Sequence, residues 1–192
     1  MEERGQPNRR RRNEGRLDHP ARADDRVRFD AEFGRRFSVF VDTEEEFDWA
    51  SPRSRESTST SAVRHLPEFQ RLMDAHGIRP CYLIDYPVAD NPESRAVLAE
   101  LHAGGTCEIG TQLHPWVNPP SDEEVNSFNS FVGNLPEELE KAKLVALTER
   151  IASITSGVRP TVYRAGRYGV GPNTAKLLEE AGYHADTSVR PH

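Results

Sequence analysis

The sequence predicts an α/β fold around a parallel sheet, arranged as an incomplete (β/α) barrel. Three observations carry this. Five short strand-like runs alternate with four helical patterns. Each helical pattern ends at glycine, with Gly77, Gly104, Gly157 and Gly182 as the stops. The segments after the first and third strands are long, at the end of the sheet where such folds place their sites. The same element order also describes an open doubly wound sheet, but the long loops favour the barrel.

The first strand is expected over 36–42, from the run Phe37-Ser38-Val39-Phe40-Val41. A polar loop follows, rich in Ser, Thr and Arg from Ser51 to Ser61. Leu66, Phe69 and Met73 recur at helical spacing and predict a helix from Arg64 to His76. Cys81 to Ile84 form the second strand. Asn91-Pro92 supplies a cap and a first turn for a helix that buries Val97, Leu98 and Leu101 and stops at Gly104-Gly105. The third strand is expected over 106–110, followed by a long loop over 114–135. A helix over 136–155 carries Leu144, Leu147, Ile151 and Ile154 on one face. The fourth strand spans 161–164, the last helix runs from Pro172 to Gly182, and a fifth strand covers 184–189. Five strands cannot close an eight-stranded barrel, which takes ~250 residues. The sequence therefore reads as a barrel truncated after its fifth strand.

Residues 1–35 read as a disordered, Arg-rich N-terminal tail, and 36–192 as the folded domain, its C-terminal part missing. Arg9-Arg10-Arg11-Arg12 sits among polar residues with no aromatic interleaved, so it reads as a solvated tail rather than a nucleic-acid contact. Net charge is -6, which argues against nucleic acid as a partner. No apolar run approaches a membrane span, and the N-terminus lacks the apolar core of a secretory signal. Cys81 and Cys107 fall in strands and read as buried free thiols, so a cytoplasmic setting is expected. The oligomeric state is not readable.

Chemistry-bearing residues gather at the strand ends. Asp42 and Glu44, one residue apart, share a strand face. One can bind a divalent metal while the other takes a proton from water; alternatively they simply begin a polar loop, since Glu45, Glu46 and Asp48 follow. His114 follows the third strand, with Gln112 two residues before it. It reads as a ligand or as a structural histidine. Trp116 reads as the wall of a sugar pocket or as packing. Arg164 ends the fourth strand and can hold a carboxylate ionised or close the rim as a salt bridge. Tyr168 and its flanking glycines shape a loop where a ligand approaches. Asp186, near the end of strand five, either holds Arg164 or marks a turn.

The order Asp-x-Glu, His-Pro-Trp, Tyr-Arg-x-Gly-Arg-Tyr-Gly and Asp-x-Ser resembles the polysaccharide deacetylases, the NodB-homology or carbohydrate esterase family four proteins. The stretches 41–49, 110–120 and 163–171 are similar to their WalW-like branch. The resemblance spans about residues 36 to 192. It implies a distorted (β/α) barrel and metal-dependent hydrolysis of non-peptide amide bonds, on N-acetylated aminosugar polymers or small amides. By position, Asp42 would be the general base, Arg164 its brace and Asp186 the support of Arg164. Glu44 and His114 would ligate a divalent metal, zinc by family habit, with Gln112 in the place of a usual histidine. Trp49, Trp116 and Tyr168 would offer stacking surfaces for substrate.

Three departures stand out. Glu44 replaces the usual aspartate. Gln112 replaces an imidazole and is the poorer zinc ligand. The family's late histidine motif has no counterpart up to His192. The expectation is a metal-dependent deacetylase, or an inactive fragment of one; the alternative is a non-catalytic carbohydrate-binding relative. A phosphatase using Asp42 as nucleophile fits poorly, because Lys141, Lys143 and Lys176 all fall in helices.

Overall fold

A computed structural model describes residues 28–189. Its sheet comprises β1 (Phe40–Thr43), β2 (Cys81–Ile84), β3 (Glu108–Leu113), β4 (Val162–Ala165) and β5 (Ala185–Asp186). The strands lie in the order β1-β2-β3-β4-β5, and every neighbouring pair is parallel. The helices are α1 (Leu66–Ala75), α2 (Tyr86–Asp90), α3 (Pro92–Ala103), α4 (Glu137–Ala152) and α5 (Thr174–Ala181). Because all strands point the same way, their carboxyl ends and following loops gather on one rim.

Strand periodicity divides the sheet into two faces. Tyr82, Ile84, Ile109, Leu113, Tyr163 and Ala165 pack with Leu98, Leu144, Leu147, Ile151 and Leu177 from the helices into one core. The register sets Asp42 beside Leu83, Leu83 beside Gly110, and Gln112 beside Arg164 on the opposite face. Burying apolar area at roughly 25 cal/mol per Å² drives the first face inward. The second face is thereby left to carry polar chemistry at its upper end.

The expected α/β order holds, and several boundaries move. β1 begins at Phe40 rather than Arg36, because its partner β2 begins at Cys81, which aligns with Phe40. Phe37 is 76% exposed in consequence. β3 runs to Leu113 rather than 110, so Gln112 belongs to the strand and His114 follows it directly. The first helical stretch divides into a 3-10 turn (Ser61–His65) and α1. The short α2 was not foreseen; Asp85 caps it by accepting from Val88 N at 3.0 Å, and a proline sits in its first turn. After α3 the left-handed backbone falls at Gly105 (φ 73°) instead of Gly104. β5 keeps only two residues, but Thr187 N still donates to Tyr163 O at 2.9 Å, which holds the chain beside β4.

Cys81 and Cys107 are buried and free, as expected. Burial pushes their thiols up to about 12 and about 11. The Arg9–Arg12 run lies outside the described residues. Residues 28–35, expected to lack structure, contain an exposed 3-10 turn at Ala31–Phe33 capped by Asp30. No helix among the described residues is long and apolar enough to cross a membrane.

Candidate functional site

The rim forms a cavity of about 390 Å³ lined by Asp42, Glu44, Gln112, His114 and Arg164, with Trp49, Phe131, Arg167 and Tyr168 completing its wall. Strand ends supply the first five, so the sheet itself sets their spacing. Gln112 Nε2 donates to Glu44 Oε2 at 2.6 Å, and it lies 3.4 Å from His114 Nε2. His114 Nε2 is 3.3 Å from Glu44 Oε2. Three polar side chains thus converge on one point. Gln112 Oε1 is buried with no hydrogen-bond partner among the described residues.

The other side of the imidazole is held by residues that the sequence reading did not single out. His114 Nδ1 meets Glu45 Oε2 at 2.7 Å. Glu45 also accepts from Trp116 Nε1 at 2.8 Å, and its backbone N donates to Asp85 Oδ2 at 2.7 Å. Glu45, Asp85 and His114 offer ligand atoms within 4.8 Å of one another and could hold a metal ion. All three are buried, however, and the Glu45 and Nδ1 atoms are already spent on each other. The three cavity-facing groups are the more accessible set.

The electrostatics of this cluster are internally balanced. Burial and the neighbouring Glu45 carboxylate push the Asp85 carboxyl well up. Burial opposes the ionised form of Glu45, but hydrogen bonds to Asp85 and His114 hold its carboxyl low. Burial likewise opposes the imidazolium of His114, yet hydrogen bonds to Glu44 and Glu45 raise it to about 10. Burial and Glu45 thus push Asp85 toward its neutral form, while hydrogen bonds favour the charged forms of Glu45 and His114.

Asp42 receives Arg164 Nη1 in an ion pair. Arg164 Nε donates to Thr187 Oγ1 at 3.1 Å. Asp186, expected to hold Arg164, instead accepts from Ser188 Oγ at 2.6 Å and Ser188 N at 3.3 Å. Tyr163 and Asp186 are register partners, whereas Arg164 is one residue further on, so alternation turns Thr187 rather than Asp186 toward Arg164.

Trp116 also departs from expectation. It is 2% exposed and stacks on His114 with centroids 4.5 Å apart. The 3-10 turn Pro115–Val117 folds it against the histidine, so it packs on that ring rather than walling the cavity. Trp49 is 59% exposed, and Trp49 and Tyr168 both line the cavity.

The loop after β3 is fixed from below. Lys143 of α4, fully buried, donates to the carbonyls of Pro115, Asn118 and Pro120 at 2.9, 2.6 and 2.6 Å and pairs with Glu123 at 3.0 Å. Gly166 packs against the imidazole: a Cβ there would stand 2.5 Å from His114 Cδ2. Gly133 N donates to Gly169 O at 2.8 Å, which joins the loops after β3 and β4.

No protein-family model matches the chain, and no curated protein matches it by sequence. Solved structures do. A carbohydrate esterase family 4 (CE4) pseudoenzyme of Bacillus anthracis, in a mutant form, superposes with TM-score 0.53 at 10% identity. A mutant of it with restored enzymatic activity gives 0.54, also at 10%. Each match covers 78% of this chain and 43% of the other. The chitin deacetylase of the fungal pathogen Colletotrichum lindemuthianum gives 0.50 at 14% identity, over 78% of this chain and 53% of that one. The chain has the fold of the CE4 proteins. It spans about half the length of the CE4 structures it matches, and some of those are deacetylases while others are pseudoenzymes.

Proposed function

We propose that the protein is a metal-dependent hydrolase of non-peptide amide bonds, of the WalW-like branch, removing N-acetyl groups from an aminosugar polymer or related carbohydrate. In this reading the five strands are an arc of the distorted barrel. The supporting observation is the convergence, in one cavity, of a braced carboxylate (Asp42 with Arg164) and a three-donor set (Glu44, Gln112, His114).

The donor set fits a divalent cation. It offers a carboxylate, an imidazole nitrogen and, once the Gln112 amide turns from its Nε2–Glu44 hydrogen bond, a buried amide oxygen with no other partner among the described residues. Two oxygen donors beside one nitrogen suit a harder ion than an all-histidine set does, so magnesium or manganese competes with zinc here. When bound, such an ion supplies Lewis-acid polarisation of the amide carbonyl and lowers the pKa of a water.

The chain's own residues do the rest. Asp42 accepts the proton of the attacking water and can return it to the departing amine nitrogen. Arg164 pairs with that carboxylate and aims it. Glu45 holds Nδ1 of His114 so that Nε2 faces the cavity. Asp186 supports this edge through Ser188. Trp49 and Tyr168 stack against the sugar.

The test is acetate release from N-acetylated oligosaccharides with added magnesium, manganese, cobalt or zinc. Activity is expected to vanish with chelator and to fall at least ~100-fold in Asp42→Asn. Undiminished amidase activity in metal-free protein would overturn the reading. One observation favours the alternative of a non-catalytic carbohydrate-binding protein: Gln112 already satisfies Glu44 by a 2.6 Å hydrogen bond. That alternative predicts saccharide binding without turnover, unaffected by Asp42→Ala.

A further inference from the structure

We propose that Arg53 and Arg167 form an anion-binding subsite beside the catalytic cavity, so that the substrate is a saccharide bearing a carboxylate or phosphate group. The inference deepens the amide-hydrolase reading and rests on it for the identity of the neighbouring cavity.

A second cavity of about 410 Å³ adjoins the first, and Trp49 and Arg167 line both. Arg53 lines the second as well, with Asn126 and Ser127 as neutral hydrogen-bonding groups. Among the described residues that line it, none is acidic. Neither arginine has a carboxylate partner among the described residues, whereas Arg164, Arg55 and Arg150 are paired with Asp42, Glu123 and Asp90. Arg64, Arg71 and Arg95 also lack a carboxylate partner among the described residues; what sets Arg53 and Arg167 apart is that both line one cavity whose described lining holds no acid.

Both guanidinium groups are held in place. Arg53 lies over the rings of Phe47, Trp49 and Trp116 at 5.4, 4.9 and 5.5 Å. Its Nε is buried with no acceptor. Arg167 sits over the Phe131 ring at 4.0 Å and donates to Ser130 Oγ. Its backbone is left-handed, φ 56°, which an arginine adopts only when its surroundings impose it. Burial, and then the charge of Arg53, pull the Arg167 pKa down, so the two cations feel one another.

Stacking on aromatic rings accounts for Arg53 alone. It does not account for a second cation brought beside it with no counter-charge. Folding gains nothing from that pairing, and an anion bound between them removes the repulsion. Planar guanidinium forks match carboxylate and phosphate oxygens, while a neutral sugar needs no such pair. Since the two cavities share Trp49 and Arg167, one saccharide can present an amide to the first and an acid group to the second.

The test measures binding of N-acetylglucosamine, N-acetylglucosamine 6-phosphate and N-acetylmuramic acid to the whole chain carrying Asp42→Asn, by calorimetry at low salt. At least one charged sugar is expected to bind roughly tenfold or more tighter than the neutral one. Which of them does so distinguishes phosphate from carboxylate. Arg53 lies outside the first cavity, so Arg53→Gln should reduce that preference while leaving the neutral sugar's affinity within twofold; Arg167→Gln should also reduce the preference. Equal affinity for all three sugars, or a preference that survives both substitutions together, would overturn the proposal. If the variants lose their circular dichroism signal, competition by inorganic phosphate in the Asp42→Asn chain decides: displacement of a charged sugar supports the subsite, and none refutes it. Charged-sugar preference without acetate release by the unaltered chain would sink the hydrolase reading and leave the subsite standing. Acetate release at equal rates from neutral and charged sugars, with equal affinities, would do the reverse.

Discussion

Glu45 Oε2 stands 2.7 Å from Nδ1 of His114, and this contact decides which imidazole nitrogen faces the cavity. With Nδ1 committed to the carboxylate, Nε2 points to Glu44 and Gln112. Glu45→Gln keeps an acceptor and removes the charge. Metal affinity is expected to fall about 10- to 100-fold. In metal-free protein the His114 pKa should drop clearly below its value of about 10. An NMR titration of the imidazole checks the second outcome, and an unmoved pKa would dismiss Glu45 as its support.

The same pKa predicts how metal binding varies with pH. His114 at about 10 carries a proton at neutral pH in metal-free protein. Ligation through Nε2 needs that proton gone. Each ion bound should therefore release about one proton, and apparent affinity should rise about tenfold per pH unit below the His114 pKa. Calorimetry in buffers of different ionisation enthalpy counts the protons. A pH-independent affinity with no proton release would show that the ion does not engage His114.

Gly166 tests the placement of that ring from the opposite side. An added Cβ would meet His114 Cδ2 at 2.5 Å and Leu113 O at 2.6 Å. Neither the backbone carbonyl nor the stacked, buried imidazole can retreat cheaply. Gly166→Ala is expected to cost about 1–3 kcal/mol of stability and to weaken metal binding beyond what the stability loss explains. Urea denaturation and metal titration on the same variant separate the two effects.

Lys143 is the counterpart below the loop. Its ammonium satisfies three carbonyls of the 115–120 segment and one carboxylate, all out of water. Lys143→Met fills similar volume but leaves those carbonyls without their donor and Glu123 with Arg55 alone, at 3.5 Å. The expected loss is about 3–5 kcal/mol. Hydrogen exchange should quicken selectively over 114–120. Uniform exchange across the domain would instead mean that Lys143 acts on global stability alone.

The strand ends were legible in the sequence because their chemistry is local. Asp42, Glu44, His114 and Arg164 each follow an apolar run, and a parallel sheet must deliver such positions to one rim. What stayed hidden depended on three-dimensional contact. Glu45 looked like one more acid in the run 44–46, although a strand's alternation sends it to the face opposite Glu44. Asp85 was readable as a cap, standing before Tyr86-Pro87, but nothing local tied it to Glu45, 40 residues earlier. Trp116 read as a sugar wall or as packing, and the sequence could not choose because its partner, Glu45, is 71 residues away. Asp186 read either as the partner of Arg164 or as a turn residue; register, which the sequence does not display, gives the contact with Arg164 to Thr187 instead. Lys143 was set aside as a helix residue, yet its helix carries it under the loop that follows the histidine.

Glu140 supplies a pH dependence that is separate from the site. It is 3% exposed and accepts from Thr174 Oγ1 at 2.5 Å, joining α4 to the start of α5. Its Oε2 is buried with no partner among the described residues. Burial pushes the carboxyl up to about 7, against an unperturbed 4.5. Between these values the folded state holds a proton that the unfolded chain has lost, so stability falls as pH rises from 4.5 to about 7 and is flat above it. The contribution is fully present below 4.5 and amounts to on the order of 2–3 kcal/mol. Glu140→Gln stays neutral at every pH and can still accept from Thr174. It should flatten this stretch of the stability profile and make the protein more stable than the unaltered chain at pH 8. Urea midpoints at pH 5 and pH 8 measure this. Equal slopes for the two proteins would show that Glu140 is ionised in the fold and that α4 and α5 tolerate its charge.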